Sequence, residues 1–128
     1  MRLLLDTHVL LWASGEPQRL GRIQDVLLDE AHELFVSSAS AWEITIKHAL
    51  GRLTLPERPE TWFPTRIRGL GATGVAMEVG DVLGVGDLPP LHADPFDRVL
   101  VATARRRGWT LVSADAAVAA YDVPVLWR

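Results

Sequence analysis

The chain has 128 residues, enough for one domain with a sizeable hydrophobic core, and it has no cysteine, which excludes disulfide bonds and thiolate metal sites. Its net charge is −3, but with four candidate site acids set aside 13 basic residues face 12 acidic ones, so charge does not exclude a nucleic-acid substrate. The N-terminal apolar cluster is interrupted by Asp6 and His8 and follows no basic segment. We therefore expect no signal peptide, no membrane span and a cytoplasmic location.

Taken in chain order, short apolar segments alternate with helical patterns. The predicted strands are residues 2–5, 34–36, 73–77, 110–112 and 124–127. The predicted helices are residues 7–14, 19–31, 60–69, 78–84, 95–107 and 115–121, together with one that opens within 37–40 and runs to 50. Continuous apolar triplets between helices are typical of a parallel sheet covered on both faces. The sequence thus predicts an α/β fold: a three-layer α/β/α domain with a central, mostly parallel sheet of four to five strands.

The segment 92–104 (HADPFDRVLVATA) places two carboxylates and an arginine at the start of a nearly all-apolar helix. Because a helix that is apolar all round is buried, its first turn is held at a fixed point against the core. Asp94 and Pro95 suit the N-cap and the first position of that helix, and Asp97 is its third residue. The segment therefore predicts an acid presented rigidly at one end of the domain.

Four acids lie where predicted strands give way to helices. Asp6 follows the first strand, Glu43 follows the second by two turns of chain, Asp97 opens the central helix, and Asp115 comes three residues after Val112. Ligands of open α/β sheets bind at the carboxyl ends of the strands, so we expect these acids to converge. Clustered carboxylates repel one another, and a divalent cation removes that cost. All-oxygen ligands favour Mg²⁺ or Mn²⁺, usually for phosphate chemistry.

Each acid also has a purely structural explanation. Asp6 and Asp115 could cap the helices that they precede. Ser40 and Glu43 have the spacing of a capping box, and Glu43 and Lys47 form a favoured i,i+4 ion pair. Neighbouring hydroxyl groups could instead do the capping and leave the acids free: Thr7, Ser38, Ser40 and Ser113.

Four segments together resemble a PIN domain, most closely the VapC-type toxins of bacterial toxin–antitoxin pairs. They are residues 4–8 (LLDTH), 40–44 (SAWEI), 88–98 (LPPLHADPFDR) and 111–115 (LVSAD). The most specific part is the His-x-Asp-Pro-Phe-Asp-Arg stretch. The resemblance covers essentially the whole chain in order, so it implies a single PIN domain over residues 1–128.

The resemblance implies an Mg²⁺-dependent or Mn²⁺-dependent endoribonuclease that hydrolyses RNA phosphodiester bonds with a metal-activated water. The family's catalytic and metal-binding quartet maps onto Asp6, Glu43, Asp97 and Asp115. Asp6 and Asp97 are expected to bind metal directly, and Glu43 and Asp115 directly or through water. Ser113 stands where the family more often has threonine, and it retains the hydroxyl group.

Several neighbours of these acids have more than one interpretation. Asp94 is either the helix cap alone or a fifth acid near the metal, and Arg98 either contacts a substrate phosphate or pairs with Asp94. Thr7 and Ser113 are candidate auxiliary residues. For His92, a loop histidine bonded to backbone is favoured over a metal ligand, because hard cations prefer oxygen.

The resemblance also implies partners. An antitoxin helix is expected to pack in an apolar groove and to reach the carboxylates with a basic side chain, and homodimerisation is expected by analogy. One face of the helix after the second strand is expected to be core, with part of it exposed in that groove: Trp42, Ile46, Ala49 and Leu50. Core or dimer packing is expected for Trp62, Trp109 and Trp127.

Two other functions remain open from the sequence. A PIN module without catalysis could bind RNA or protein, although such modules lose acids and all four are present here. The other is an Mg²⁺-dependent phosphotransfer domain. A haloacid-dehalogenase-like phosphatase needs Asp-x-Asp after the first strand, where position 8 is histidine, and a receiver domain needs a late lysine, whereas the only lysine is Lys47.

Overall fold

The computed structural model describes residues 1–127 and contains a five-stranded sheet. The strands are β1 (Arg2–Leu5), β2 (Glu33–Ser37), β3 (Thr73–Val75), β4 (Thr110–Val112) and β5 (Val125–Leu126). Their order is β3-β2-β1-β4-β5, and every neighbouring pair is parallel. The predicted α/β class is confirmed, and the sheet is entirely rather than mostly parallel.

Seven α-helices connect these strands within residues 1–127. They are α1 (Thr7–Gly15), α2 (Ile23–Leu28), α3 (Ser38–Ala49), α4 (Pro59–Gly69), α5 (Val79–Gly84), α6 (Pro95–Arg107) and α7 (Ala116–Ala119). Two 3₁₀ turns, Pro17–Leu20 and Val85–Asp87, complete the set. In this part of the chain no helix combines the length and the apolar character that crossing a membrane requires.

The amphipathic helix predicted over 19–31 is wrong in its extent. A 3₁₀ turn covers Pro17–Leu20, and α2 covers only Ile23–Leu28. Between them, Gly21 has a φ of 55° and a ψ of −129°, which lies outside the right-handed helical region and separates the two pieces. By contrast, α6 has the predicted bounds and ends at Gly108, whose φ of 70° gives a left-handed helix cap.

The core lies in two clusters, one on each face of the sheet. On the central strand β1, Leu3 and Leu5 join the cluster beneath α1 and α4, whereas Leu4 joins the cluster beneath α6. This alternation is the two-residue period of a strand buried on both faces, and it produces the three layers. In α6, all residues from Val99 to Ala104 are buried, so the helix that carries Asp97 is fixed along its length.

The orientation of α3 differs from the sequence expectation. The helix is capped by Ser37, whose Oγ accepts a hydrogen bond from the backbone N–H of Ala39 at 3.0 Å. Ser40 therefore lies inside the helix, and the predicted capping box with Glu43 is wrong. Glu43 faces inward, whereas Trp42 and Leu50 are 55% and 61% exposed, so these two residues belong to the exposed part of that helix face rather than to the core. Two other tryptophans, Trp62 and Trp109, are buried as expected.

A buried ion-pair cluster joins α5 to the last turn of α6. The side chain of Asp81 is fully buried, and its carboxylate lies 2.6 Å from Arg107 Nη2 and 3.2 Å from Arg106 Nη1. Burial acts to raise the pKa of Asp81, but the hydrogen bonds from Arg107, from the backbone of Glu78 and from Arg106 hold it below its usual value. This buried acid is satisfied by the protein itself.

Candidate functional site

The parallel sheet brings the predicted acids to one edge. Asp6 directly follows β1, and Ser113 and Asp115 directly follow its neighbour β4. The backbone N–H of Asp6 donates to the carbonyl of Val112 at 3.1 Å, which ties the ends of the two strands together. Glu43 reaches the same edge from α3, and Asp97 reaches it from the first turn of α6.

Asp6 is buried and caps α1. Its Oδ1 accepts a hydrogen bond from the backbone N–H of Val9 at 2.8 Å, and its carboxylate is also bonded to the side chain of Ser113. Burial raises the pKa of Asp6 above its usual value, and the negative charge of Glu43 adds to the rise. Ser113 Oγ in turn accepts the backbone N–H of Asp115 at 3.1 Å, so this hydroxyl links two of the acids.

Glu43 is 2% exposed and only half satisfied. Its Oε2 lies 2.6 Å from Lys47 Nζ, so the predicted i,i+4 ion pair is confirmed. Its Oε1 is buried and has no hydrogen-bond partner among the described residues. Because a buried carboxylate oxygen without a partner carries a full desolvation cost, this atom is suited to ligation of a cation.

Asp97 is the most strongly perturbed acid of the group. Burial, followed by the negative charges of Asp94 and Asp6, raises its pKa from 3.8 to about 6. The charge of Glu43 contributes in the same direction, and that of His92 opposes it. Asp97 therefore senses three other carboxylates, as expected for acids that converge on one point.

Asp94 and Asp115 each use one oxygen to cap a helix. Asp94 Oδ1 accepts the backbone N–H of Phe96 at 2.9 Å, and Asp115 Oδ1 accepts that of Ala117 at 2.9 Å. The alternative that neighbouring hydroxyl groups do the capping does not hold for Thr7 and Ser38. Their hydroxyl groups bond elsewhere: Thr7 Oγ1 donates to Ser40 Oγ, and Ser38 Oγ accepts the backbone N–H of Met77. Capping and site formation are compatible, because a carboxylate has a second oxygen.

His92 lies between two of the acids, and the sequence did not reveal this. Its Nε2 is 3.0 Å from Asp97 Oδ2 and 3.0 Å from Asp115 Oδ2, and one atom from each of the three side chains lies within 4.8 Å of the others. The predicted backbone bond is present, since Nδ1 accepts the N–H of Asp94 at 3.2 Å. The available signal was the five-residue spacing from Asp97, which cannot show where the ring points.

Arg98 does not form the side-chain pair with Asp94 that was one of its two interpretations. Its guanidinium instead donates to the carbonyl groups of Val85, Leu88 and Pro89 and, at 3.0 Å, to the hydroxyl of Tyr121. These bonds hold the loop that precedes α6, so the group is directed into the protein rather than towards a substrate.

The arrangement suits a hard divalent cation. Asp6 and Glu43 act on Asp97 through their charges, and Asp115 is linked to Asp97 through His92. One buried Glu43 oxygen has no hydrogen-bond partner within residues 1–127, and the pKa values of Asp6 and Asp97 are raised. A cation bound among them would replace mutual repulsion by attraction, and oxygen ligands favour Mg²⁺ or Mn²⁺. Among residues 1–127, the side chains close enough together to share one ion are His92, Asp97 and Asp115. Asp6 and Glu43 lie near enough to Asp97 for their charges to raise its pKa.

Comparisons with known proteins give a consistent result. Residues 3–124 match the family described as the PIN domain. The chain is 32% identical over 112 residues to a protein of Mycobacterium tuberculosis (strain ATCC 25618 / H37Rv) named "Ribonuclease VapC22", a match that covers 88% of this chain and 85% of the relative.

Solved structures share the fold at low sequence identity. A structure of VapBC2 from Rickettsia felis bound to a DNA fragment from its promoter matches with a TM-score of 0.76 and 14% identity, over 100% of both chains. DNA-bound VapBC from Salmonella typhimurium matches with a TM-score of 0.73 and 14% identity, over 98% of this chain and 97% of that one. At such identities the likeness concerns the fold alone.

Proposed function

The chain belongs to the PIN-domain family and is of the VapC type, and from this premise we propose that it is a divalent-metal-dependent endoribonuclease, the toxin of a type II toxin–antitoxin pair. One observation carries the metal site. Asp97 lies near Asp6 and Glu43 and, through His92, near Asp115, and a buried Glu43 oxygen has no hydrogen-bond partner among the described residues. A module without catalysis has no need to retain so costly a cluster.

The proposed ligands are carboxylate oxygens. Asp6 and Asp97 would bind Mg²⁺ or Mn²⁺ directly, and Glu43 and Asp115 would bind it directly or through water. A cation held there would supply electrostatic stabilisation of the phosphate and would lower the pKa of a water, which could then attack at neutral pH. The substrate is an RNA phosphodiester.

The side chains of this chain prepare the site in distinct ways. Burial of α6 fixes Asp97, and the caps on α1 and α7 fix one oxygen each of Asp6 and Asp115. Ser113 orients Asp6 and the Asp115 backbone together. Asp97 must be ionised to bind a cation, so its raised pKa couples metal affinity to pH.

The remaining parts of the proposal concern partners and place. The chain is one PIN domain over residues 1–128, works in the cytoplasm and is inhibited by a cognate antitoxin. A groove of about 280 Å³ whose lining includes Leu11, Trp12 and Trp62 supports the packing of an antitoxin helix. The exposed Trp42, beside Phe96 and Val82, supports homodimer contact. Light scattering on the protein and on Trp42→Glu tests the dimer, which the substitution should dissociate.

The nuclease proposal is tested by cleavage of a structured RNA with Mg²⁺ or Mn²⁺. EDTA and Asp97→Asn should each reduce cleavage to background, whereas Asp25→Asn, at an exposed position on α2, should not change it. Cleavage that persists in Asp97→Asn contradicts the site. Mn²⁺ binding without RNA cleavage on any RNA class would support a non-catalytic module instead.

A further inference from the structure

The loop before α6 is held so that it presents one imidazole to the acidic edge. Arg98 donates to several carbonyl groups of this loop, and the hydroxyl of Tyr121 accepts the backbone N–H of His92 at 2.9 Å. The His92 side chain is 20% exposed, and its Nε2 lies 3.0 Å from both Asp97 Oδ2 and Asp115 Oδ2. Its position is therefore set by the fold rather than by a flexible loop.

The tautomer of His92 follows from its second nitrogen. The N–H of Asp94 is a backbone donor and points at Nδ1 at 3.2 Å, so Nδ1 must offer its lone pair. A neutral imidazole that accepts at Nδ1 carries its proton on Nε2. Nε2 is then a donor whose hydrogen bond goes to Asp115 Oδ2, and Asp97 Oδ2 lies at the same distance of 3.0 Å as an electrostatic partner. A metal ligand would need the opposite tautomer, with Nδ1–H facing the Asp94 N–H.

We propose that His92 is a positioning residue of the site. Its Nε2–H bonds to Asp115 Oδ2 and lies 3.0 Å from Asp97 Oδ2, which sets the spacing of the two carboxylates. Asp97 Oδ1 and the remaining lone pairs of the Asp115 carboxylate, whose Oδ1 also caps α7, are then left for one cation. This inference rests on the proposed metal site and assigns a role to a residue outside the acidic quartet. It also explains the compact motif: Asp94 caps α6 with its side chain and selects the His92 tautomer with its backbone.

If His92 acts by donating a hydrogen bond to the carboxylates, its substitutions have a consequence that is not expected of a metal ligand or of a side chain that only packs. Hydrogen bonds to ligating carboxylates orient them, and losing such a bond typically lowers metal affinity by about 10–100-fold. A side chain that only donates can be replaced by another donor of similar reach. Glutamine places its amide nitrogen near the Nε2 position, whereas the shorter asparagine places it near Nδ1, so His92→Gln and His92→Asn form a matched pair.

The experiment is a Mn²⁺ titration of the full chain, without RNA, in which electron paramagnetic resonance of the free ion measures the dissociation constant. We expect His92→Ala and His92→Asn to weaken Mn²⁺ binding by about 10-fold or more and His92→Gln to recover most of the loss. Nitrogen-15 spectra of the metal-free protein at about pH 8, where an ordinary imidazole is neutral, should show the Nε2–H tautomer of His92.

Three results would overturn the proposal. Unchanged or tighter Mn²⁺ binding in His92→Ala would show that the imidazole does not support the site. An equal loss in His92→Gln and His92→Ala, with a changed preference between Mn²⁺ and Mg²⁺, would make His92 a ligand. An Nδ1–H tautomer would contradict the bridge directly.

The same titration distinguishes a failure of the His92 proposal from a failure of the proposed metal site. If the unsubstituted protein binds Mn²⁺ and Asp97→Asn does not, the metal site stands and the His92 variants decide the role of the imidazole. If the unsubstituted protein does not bind Mn²⁺ at millimolar concentrations, both the proposed metal site and the positioning role of His92 are refuted.

Discussion

Asp81, which packs against the last turn of α6, and Asp97, in its first turn, lie at opposite ends of the helix, and their environments shift their pKa values in opposite directions. Asp81 is fully buried but receives hydrogen bonds from Arg106 and Arg107, so its pKa is lowered. Asp97 faces other carboxylates and one imidazole, and its pKa rises to about 6.

The contrast shows what distinguishes a structural acid from a candidate ligand. Burial acts to raise the pKa of both residues. At Asp81 hydrogen bonds from the protein outweigh this effect, whereas at Asp97 the effect remains largely uncompensated. An uncompensated cluster of acids is a destabilising feature that a bound cation would relieve. Removing the charge of Asp81 should therefore destabilise the protein and leave metal binding unchanged. Removing the charge of Asp97 should stabilise the metal-free protein and abolish RNA cleavage.

The largest expected effect is on catalysis, at Glu43. Replacing Glu43 by glutamine keeps its size but removes the charge of the oxygen that lacks a partner among the described residues. We expect RNA cleavage to fall by about 100-fold or more, because losing a metal contact forfeits several kcal/mol. Single-turnover cleavage rates measure the effect. Glu60→Gln, at an exposed acid of α4, is the control and should retain full activity.

At the end of α6 near Asp81, Asp81→Asn should lower the free energy of unfolding by about 3 kcal/mol, because it removes the charge of a fully buried carboxylate that pairs with the partly buried Arg107. Urea denaturation measures this loss, and Mn²⁺ affinity of the folded protein should not change. Glu78→Gln removes a more exposed partner of the same arginines and should cost less than about 1 kcal/mol. Equal losses in the two variants would refute the assignment of Asp81 as the buried anchor.

Asp97→Asn should stabilise the metal-free protein at neutral pH. The folded-state pKa of Asp97 is raised from 3.8 to about 6, so its contribution to stability is present below about pH 4 and is lost as the pH rises through 6. Relative to the unsubstituted protein, the variant should gain roughly 1–3 kcal/mol at about pH 7, since one pKa unit corresponds to about 1.4 kcal/mol. Paired denaturation curves at about pH 4 and 7 measure the gain, and a loss at about pH 7 would contradict the account.

Asp94→Asn should have the smallest effect, which is on Mn²⁺ affinity. It decides whether Asp94 is a helix cap alone or a fifth acid near the metal. Asparagine caps a helix as well as aspartate does, and removing the charge lowers the pKa of Asp97. If Asp94 is a cap alone, Mn²⁺ affinity at about pH 6 should increase by a few-fold, because more Asp97 is ionised. A tenfold loss of affinity would instead identify Asp94 as a fifth ligand.

The sequence predicted those features that depend on local pattern. The bounds of α6 follow from Asp94 and Pro95 at its start and Gly108 after its end, and the parallel sheet follows from continuous apolar triplets. The meeting of the four acids follows from a rule about strand ends. The roles of these acids in metal binding and catalysis remain a prediction.

Features that depend on side-chain direction were not predictable. The exposed position of Trp42 depends on which face of α3 packs against the core, and the sequence pattern did not determine that rotation of the helix. The contact of His92 with Asp115 and those of Asp81 with Arg106 and Arg107 join residues 23 to 26 positions apart through side chains, and no periodicity encodes such contacts. Hydroxyl groups and acids near a helix start are interchangeable caps in sequence, so only the structure shows which one is used.

The most direct test of the central claim is a crystal structure of the protein soaked in Mn²⁺, with anomalous scattering recorded to locate the ion. The account predicts a manganese peak at the acidic edge, bonded to Asp6 and Asp97, with Glu43 and Asp115 bonded directly or through water and His92 Nε2 bonded to carboxylates rather than to the ion. A fully soaked crystal without a peak there, or with manganese coordinated by His92 Nε2, would contradict it.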